Sequence, residues 1–122
     1  MFNVLSYAAA CIASTGLLSS ALFGIQDFEV VNATGYEIYE MYVSPSDVRS
    51  WEEDVLGQYT LPNGSSMDVT FDDGEDACMW DIMVVYEIDN EHVYWDDINL
   101  CEVSTVELRY DANTGRTWAI TD

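Results

Sequence analysis

From Phe28 onward the chain is a succession of short runs rich in β-branched and aromatic residues, separated every eight to twelve residues by a cluster of Gly, Pro, Asn, Asp or Ser. That punctuation leaves no room for a long helical stripe and is the pattern of a small all-β protein. Phe28-Glu29-Val30-Val31 reads as a first strand, stopped by Asn32-Ala33-Thr34-Gly35. Tyr36 to Val43 reads as a second, and the two are expected to form a hairpin. Ser44-Pro45-Ser46-Asp47 ends the second run, and Asp47 can cap one short helical turn through Trp51, Glu52, Glu53 and Asp54 up to Gly57. After the turn at Leu61-Pro62-Asn63-Gly64-Ser65, Met67, Val69 and Phe71 alternate with Asp68 and Thr70 so that one face is buried. Trp80, Ile82, Val84 and Tyr86 repeat the alternation, as do Val106, Leu108 and Tyr110. His92 to Trp95 and Arg116 to Ile120 add two more runs, the last as an edge strand. The sequence therefore predicts a small antiparallel β-sandwich with one short helical turn.

Charge divides the chain in two. Three Lys and Arg residues against 23 Asp and Glu give a net −20, and every charged residue lies at or after Asp27. Residues 1–24 are accordingly read as a signal peptide or membrane anchor, and 25–122 as an acidic β-sandwich domain. The apolar stretch Val4 to Ile25 has the length of a secretory leader, with Ser19 and Ala21 at the −3 and −1 positions of a cleavage after Ala21. No basic residue precedes it. About 20 apolar residues also suffice to span a bilayer, which is the anchor reading, although the Ser, Thr and Gly content makes this a weak span. The chain is thus expected to be exported, to the periplasm or the cell exterior. Its acidity excludes nucleic acid and anionic membrane surfaces as partners, because both are bound through Lys and Arg that release counterions. Disorder is excluded by 49% apolar and 13% aromatic residues. Cleavage after Ala21 removes Cys11, leaving Cys78 and Cys101, an even number in an oxidising compartment, and these are expected to form a disulfide. Zinc lacks partners, with one histidine and no Cys-x-x-Cys spacing.

Little in the sequence points to catalysis. His92 is the sole imidazole, and neither a G-x-S-x-G elbow nor a Cys-His pairing accompanies it. The expected function is a non-catalytic binding or interaction domain, responsive to calcium if its acids cluster. The alternative is a small exported hydrolase using a carboxylate pair, which is defined by separation in space. Calcium takes six to eight oxygens, and two acidic clusters could supply them. Asp72, Asp73, Glu75 and Asp76 surround Gly74; Asp89 and Glu91 with Asp96 and Asp97 are expected to flank the same disulfide-tied end. Neither follows the EF-hand spacing. Trp80 belongs to a buried face, whereas Trp51 and Trp95 sit beside acids and form a candidate binding face for a sugar, a peptide or a cationic protein.

Phe28 to Gly35, Tyr42-Val43-Ser44-Pro45-Ser46, Trp51, Asp54-Val55-Leu56-Gly57, Cys78-Met79-Trp80-Asp81-Ile82 and Asn99-Leu100-Cys101-Glu102-Val103-Ser104 together resemble a family of small exported bacterial domains. The resemblance spans about residues 28 to 110. Members often carry the label argininosuccinate lyase, an error, since that enzyme is a much longer helical protein. The resemblance implies an exported β-sandwich with the Cys78 to Cys101 pair and no established activity. This chain departs from it in its acidity, which suits a saline habitat or a cation-binding role, and in the lack of basic residues in its leader.

Overall fold

The computed structural model describes Phe2–Tyr7 and residues 24–71 and 75–122. Among these residues the chain forms eight strands: β1 (Phe2–Tyr7), β2 (Phe28–Asn32), β3 (Ile38–Pro45), β4 (Ser66–Phe71), β5 (Met79–Tyr86), β6 (His92–Asn99), β7 (Thr105–Asp111) and β8 (Arg116–Thr121). They make a five-stranded sheet in the order β1-β4-β2-β7-β8 and a three-stranded sheet in the order β3-β5-β6. The expected all-β sandwich is thus the fold. All pairings are antiparallel except one, since β2 runs parallel to β7 with Val30 beside Val106.

Alternation builds the core. Phe28 and Val30 of β2, Met67 and Val69 of β4, and Val106 and Leu108 of β7 turn inward from the larger sheet. Met41, Val43, Trp80, Ile82, Val84, Val93 and Trp95 face them from the smaller one. Each large side chain so buried contributes about 1.5–3 kcal/mol, and together they support a sandwich of this size. The expected leader, 1–24, falls mostly on residues 8–23, outside the described residues; within it, Phe2–Tyr7 forms β1, antiparallel to β4. No helix of the described residues is long and apolar enough to cross a membrane.

Two expectations are corrected. The strands at Phe28 and Tyr36 do not form a hairpin: β2 pairs with β4 and β7, while β3 pairs with β5 in the other sheet. Buried Asn32 is the reason. Its side-chain amide donates to Tyr36 O and Leu61 O, each at 2.8 Å, and its Oδ1 accepts from Thr34 N and Thr34 Oγ1. This fully bonded polar knot turns the chain from one sheet into the other, with Gly35 supplying a φ of 93° at the corner. The helical turn after Asp47 is also absent, and the described residues contain no helix. Val48 N and Arg49 N both donate to Pro45 O, but Arg49 then adopts φ 51°, which ends any helical course. Asp54 bonds across the loop: its Oδ1 accepts from Met41 N at 2.9 Å and Leu56 N at 3.0 Å.

The expected disulfide joins Cys78, just before β5, to Cys101, just after β6. It closes the open end of the β5–β6 hairpin, whose turn lies at the far end around Asn90.

Candidate functional site

The outer face of the smaller sheet holds a cluster built around Arg49. Asp81, between its inward-facing neighbours Trp80 and Ile82 on β5, points outward and is nonetheless buried. Its Oδ1 accepts from Ser46 Oγ at 2.7 Å and Asp97 N at 2.9 Å, and its Oδ2 accepts from Arg49 Nε at 2.8 Å. Arg49 Nη2 reaches Asp96 Oδ1 at 2.6 Å, and the guanidinium lies 5.4 Å from the Trp51 ring and 5.3 Å from that of Tyr94. Burial alone would raise the Asp81 carboxyl, but the hydrogen bonds from Ser46, Asp97 and Arg49 outweigh it and hold the group below its ordinary value. Arg49 is raised, chiefly by its bond to Asp81. This face is therefore an aromatic and carboxylate cage that the chain's own arginine already fills.

The outer face of the larger sheet is different. Glu29 on β2 lies directly across from Asp68 on β4 and beside Thr105 on β7. With Gly24, Ile25, Asp27, Phe28 and Ser104 they line a cavity of about 330 Å³. Asp27 has a structural task, accepting from Gly24 N at 2.5 Å and from Phe71 N at 2.9 Å. Among the described residues Glu29 accepts from Ser66 Oγ at 2.9 Å, and no Lys or Arg lines the cavity. The Asp68 carboxyl is raised by burial and then by the charge of Glu29. All three arginines of the chain are engaged elsewhere: Arg49 in its cage, Arg109 with Glu107, and Arg116 over the Trp118 ring at 4.8 Å.

The sequence-predicted residues distribute unevenly over these two faces. Trp51, Asp96 and Asp97 do converge, around Arg49 and Asp81. Trp95 is corrected: it is buried, and its indole N–H donates to Trp118 O at 2.8 Å and Arg109 O at 3.2 Å, so it closes the core. The exposed aromatic of that strand is its neighbour Tyr94. Asp89 and Glu91 do not share an end with Asp96 and Asp97. They sit at the β5–β6 turn, while Asp96 and Asp97 lie toward the disulfide, separated by most of a strand that rises about 3.3 Å per residue. Asp72 and Asp73 lie outside the described residues; Glu75 and Asp76 lead into Cys78, and Glu75 O accepts from Gln26 Nε2 at 2.6 Å. Among the described residues no three His, Cys, Asp or Glu side chains converge to hold a metal ion. Sequence reasoning missed Glu29, Asp68, Arg49 and Asp81; the outward parity of Asp68 between Met67 and Val69, and of Asp81 between Trp80 and Ile82, was the signal for those two. No family model, no curated protein and no solved structure matches the chain.

Proposed function

We propose that this is an exported, non-catalytic binding domain that receives a cationic partner, a basic peptide or protein segment, at the cavity between Glu29 and Asp68. One observation carries the reading: the cavity is lined by Asp27, Glu29 and Asp68 with no basic side chain, while every arginine of the chain is committed elsewhere. A basic group entering it relieves the like-charge contact between Glu29 and Asp68. The net −20 steers such a partner inward and raises its rate of encounter. The Cys78–Cys101 bridge accords with an oxidising, exported location, as does the apolar start of the sequence.

The test is a titration with fluorescently labelled tri-lysine, followed by anisotropy. Binding should be saturable, weaken as salt rises, and fall at least tenfold when Glu29→Gln and Asp68→Asn are combined. Neutralising Glu52 and Glu53, which are exposed in the loop before Asp54, should change it far less. Equal losses in the two double variants would reduce the site to diffuse surface charge. The hydrolase reading has one observation in its favour, a raised carboxyl beside a second carboxylate, which is how acid and base roles separate in glycosidases. It requires turnover of a glycoside panel that disappears in both E29Q and D68N, whereas a binding domain yields no turnover.

A further inference from the structure

A sandwich of two open sheets has four edges, and an uncovered edge is a template for pairing with another strand. Three are covered here by residues after position 24. Along β3, Asp54 Oδ1 accepts from Met41 N, Val55 N donates to Met41 O at 2.8 Å, and Ile38 and Leu61 exchange two bonds of 2.9 Å. The edges of β6 and β8 turn toward each other: Thr117 Oγ1 donates to Tyr94 O at 2.8 Å, and the Trp95 indole bonds Trp118 O.

The fourth edge is β4, and among the described residues β1 is the strand that covers it. Asn32 N donates to Ser65 O and Phe71 N to Asp27 Oδ1, so by the alternation of an antiparallel ladder the peptide groups of Ser66, Asp68 and Thr70 face β1. The register places Phe2 against Phe71, Asn3 against Thr70, Val4 against Val69, Ser6 against Asp68 and Tyr7 against Met67, with an irregularity between Val4 and Ser6. An uncharged segment that alternates apolar and polar residues thus fits this edge, apolar opposite Met67, Val69 and Phe71 and polar opposite Asp68 and Thr70. β1 lies wholly inside the segment read as a leader, and cleavage after Ala21 removes it. The edge so uncovered borders the acidic cavity, because Asp68 belongs to both.

We infer that the β4 edge is a strand-acceptor site, filled in the exported protein by an extended, antiparallel segment of a cationic partner that carries Lys or Arg at the register position of Ser6, opposite Asp68. Main-chain bonds along Ser66–Phe71 give the affinity, and the basic residue entering beside Glu29 and Asp68 gives the selectivity. Before cleavage, β1 holds the same edge in cis and keeps the site closed. The inference rests on the cationic-partner reading for the identity of that one residue, and on the sheet topology for the rest.

The experiment uses the full chain carrying Asn3→Pro, which removes the ladder donor opposite Thr70 and loosens the hold of β1 on the edge. Two labelled peptides are titrated against it: FNVLSY, the sequence of residues 2–7, and its S6K variant. Both should bind N3P at least tenfold more tightly than they bind the unaltered chain. The S6K peptide should lead by fivefold or more, and D68N in the N3P background should abolish that lead. If both peptides bind equally and D68N changes nothing, the basic residue is refuted and the cationic-partner reading falls with it. If neither binds while N3P keeps its disulfide and its tryptophan emission, the strand-acceptor is refuted, and continued binding of tri-lysine leaves the cationic-partner reading standing. Self-association of N3P without peptide binding would assign the edge to a second copy and equally overturn the inference. Should N3P fail to fold, the unaltered chain serves with millimolar S6K peptide and hydrogen exchange as the readout. Loss of protection in β1 with protection retained at Asp68 and Thr70 supports the site, and unchanged β1 protection refutes it.

Discussion

Asp81 and Asp68 are the same side chain on the outer faces of the two sheets, and their carboxyls move in opposite directions. Asp81 is the more buried, yet it is lowered, because Ser46, Asp97 N and the Arg49 guanidinium all donate to it. Asp68 is half-buried and raised, because its neighbour across the strand pair is Glu29 and no arginine is at hand. Burial pushes both upward. What distinguishes them is whether the chain supplies the counter-charge or leaves it to be supplied from outside. The Arg49 face is complete in itself, whereas no basic side chain lines the cavity at the Glu29–Asp68 face.

The largest expected effect probes the rigidity of the first face. Reducing the Cys78–Cys101 bridge should destabilise the domain by about 3 kcal/mol on the loop-entropy estimate, a fall of several degrees in Tm for each kcal/mol. It ties the ends of β5 and β6, which carry Asp81, Asp96 and Asp97. Hydrogen exchange should therefore quicken around Asp81 and Asp97 before it does around Glu29 and Asp68. Quickening first at β2 and β4 would show that the two faces are not independent.

Breaking the charge pair comes next. Asp81→Ala leaves Arg49 with Asp96 as its carboxylate partner and removes the bonds from Ser46 Oγ and Asp97 N, and with Arg49 half-exposed the expected loss is about 2 to 3 kcal/mol. Asp68→Asn should instead be neutral or add a few tenths of a kcal/mol, since it deletes a repulsion. Chemical denaturation of the two variants measures the contrast, and equal losses would erase the distinction between the faces.

Acidity sharpens it further. A carboxyl raised in the native state holds its proton to higher pH than the unfolded chain does, so its contribution is present at low pH and lost as pH rises through that interval. Asp68 belongs to this class, as does Asp54, raised by burial and then by Glu40. Asp81 is the converse: its contribution is present above the ordinary carboxyl range and lost as pH falls through its lowered native value. Stability should therefore climb as pH drops from neutral to mildly acidic and then collapse at lower pH. D68N should flatten the climb, and D81N should blunt the collapse.

The smallest effect concerns metal ions. With −20 on the chain, added salt should raise Tm by screening self-repulsion. Asp89 and Glu91 lie apart from Asp96 and Asp97, and no three described acids converge, so at matched ionic strength calcium should add nothing further at that cluster. A larger, saturating calcium shift would point to Asp72, Asp73, Glu75 and Asp76, and Asp73→Asn with Asp76→Asn would then test that cluster.

Much of the fold was legible because strand parity is local. Met67 and Val69, Trp80 and Ile82, and Val106 and Leu108 each announce an inward face from neighbours two residues away, and the structure buries them all. The partnership of β2 was not legible, because it depends on Asn32 gathering Tyr36 and Leu61, a contact the sequence does not order. Trp95 was misread for a related reason: Tyr94 and Trp95 are adjacent aromatics, and only the register of β6 on β5, with Trp95 beside Ile82, decides which turns inward. The Glu29–Asp68 pair was invisible, since each is an unremarkable acid between apolar residues until β2 and β4 align them. Acidic runs drew attention to Asp72–Asp76 and Asp89–Glu91, where charge is dense in sequence, and away from charge that is dense only in space.

The central claim is that the unneutralised face, not the Arg49 face, is where a cation is received. Amide chemical shifts of the isotope-labelled domain during a tri-lysine titration locate the binding directly. Saturable shifts confined to Asp27–Glu29, Ser66–Phe71 and Ser104–Thr105, with Arg49, Trp51 and Tyr94 unmoved, are the predicted result. Shifts centred on Arg49, Trp51 and Tyr94, or spread over all exposed acids in proportion to their charge, would contradict it.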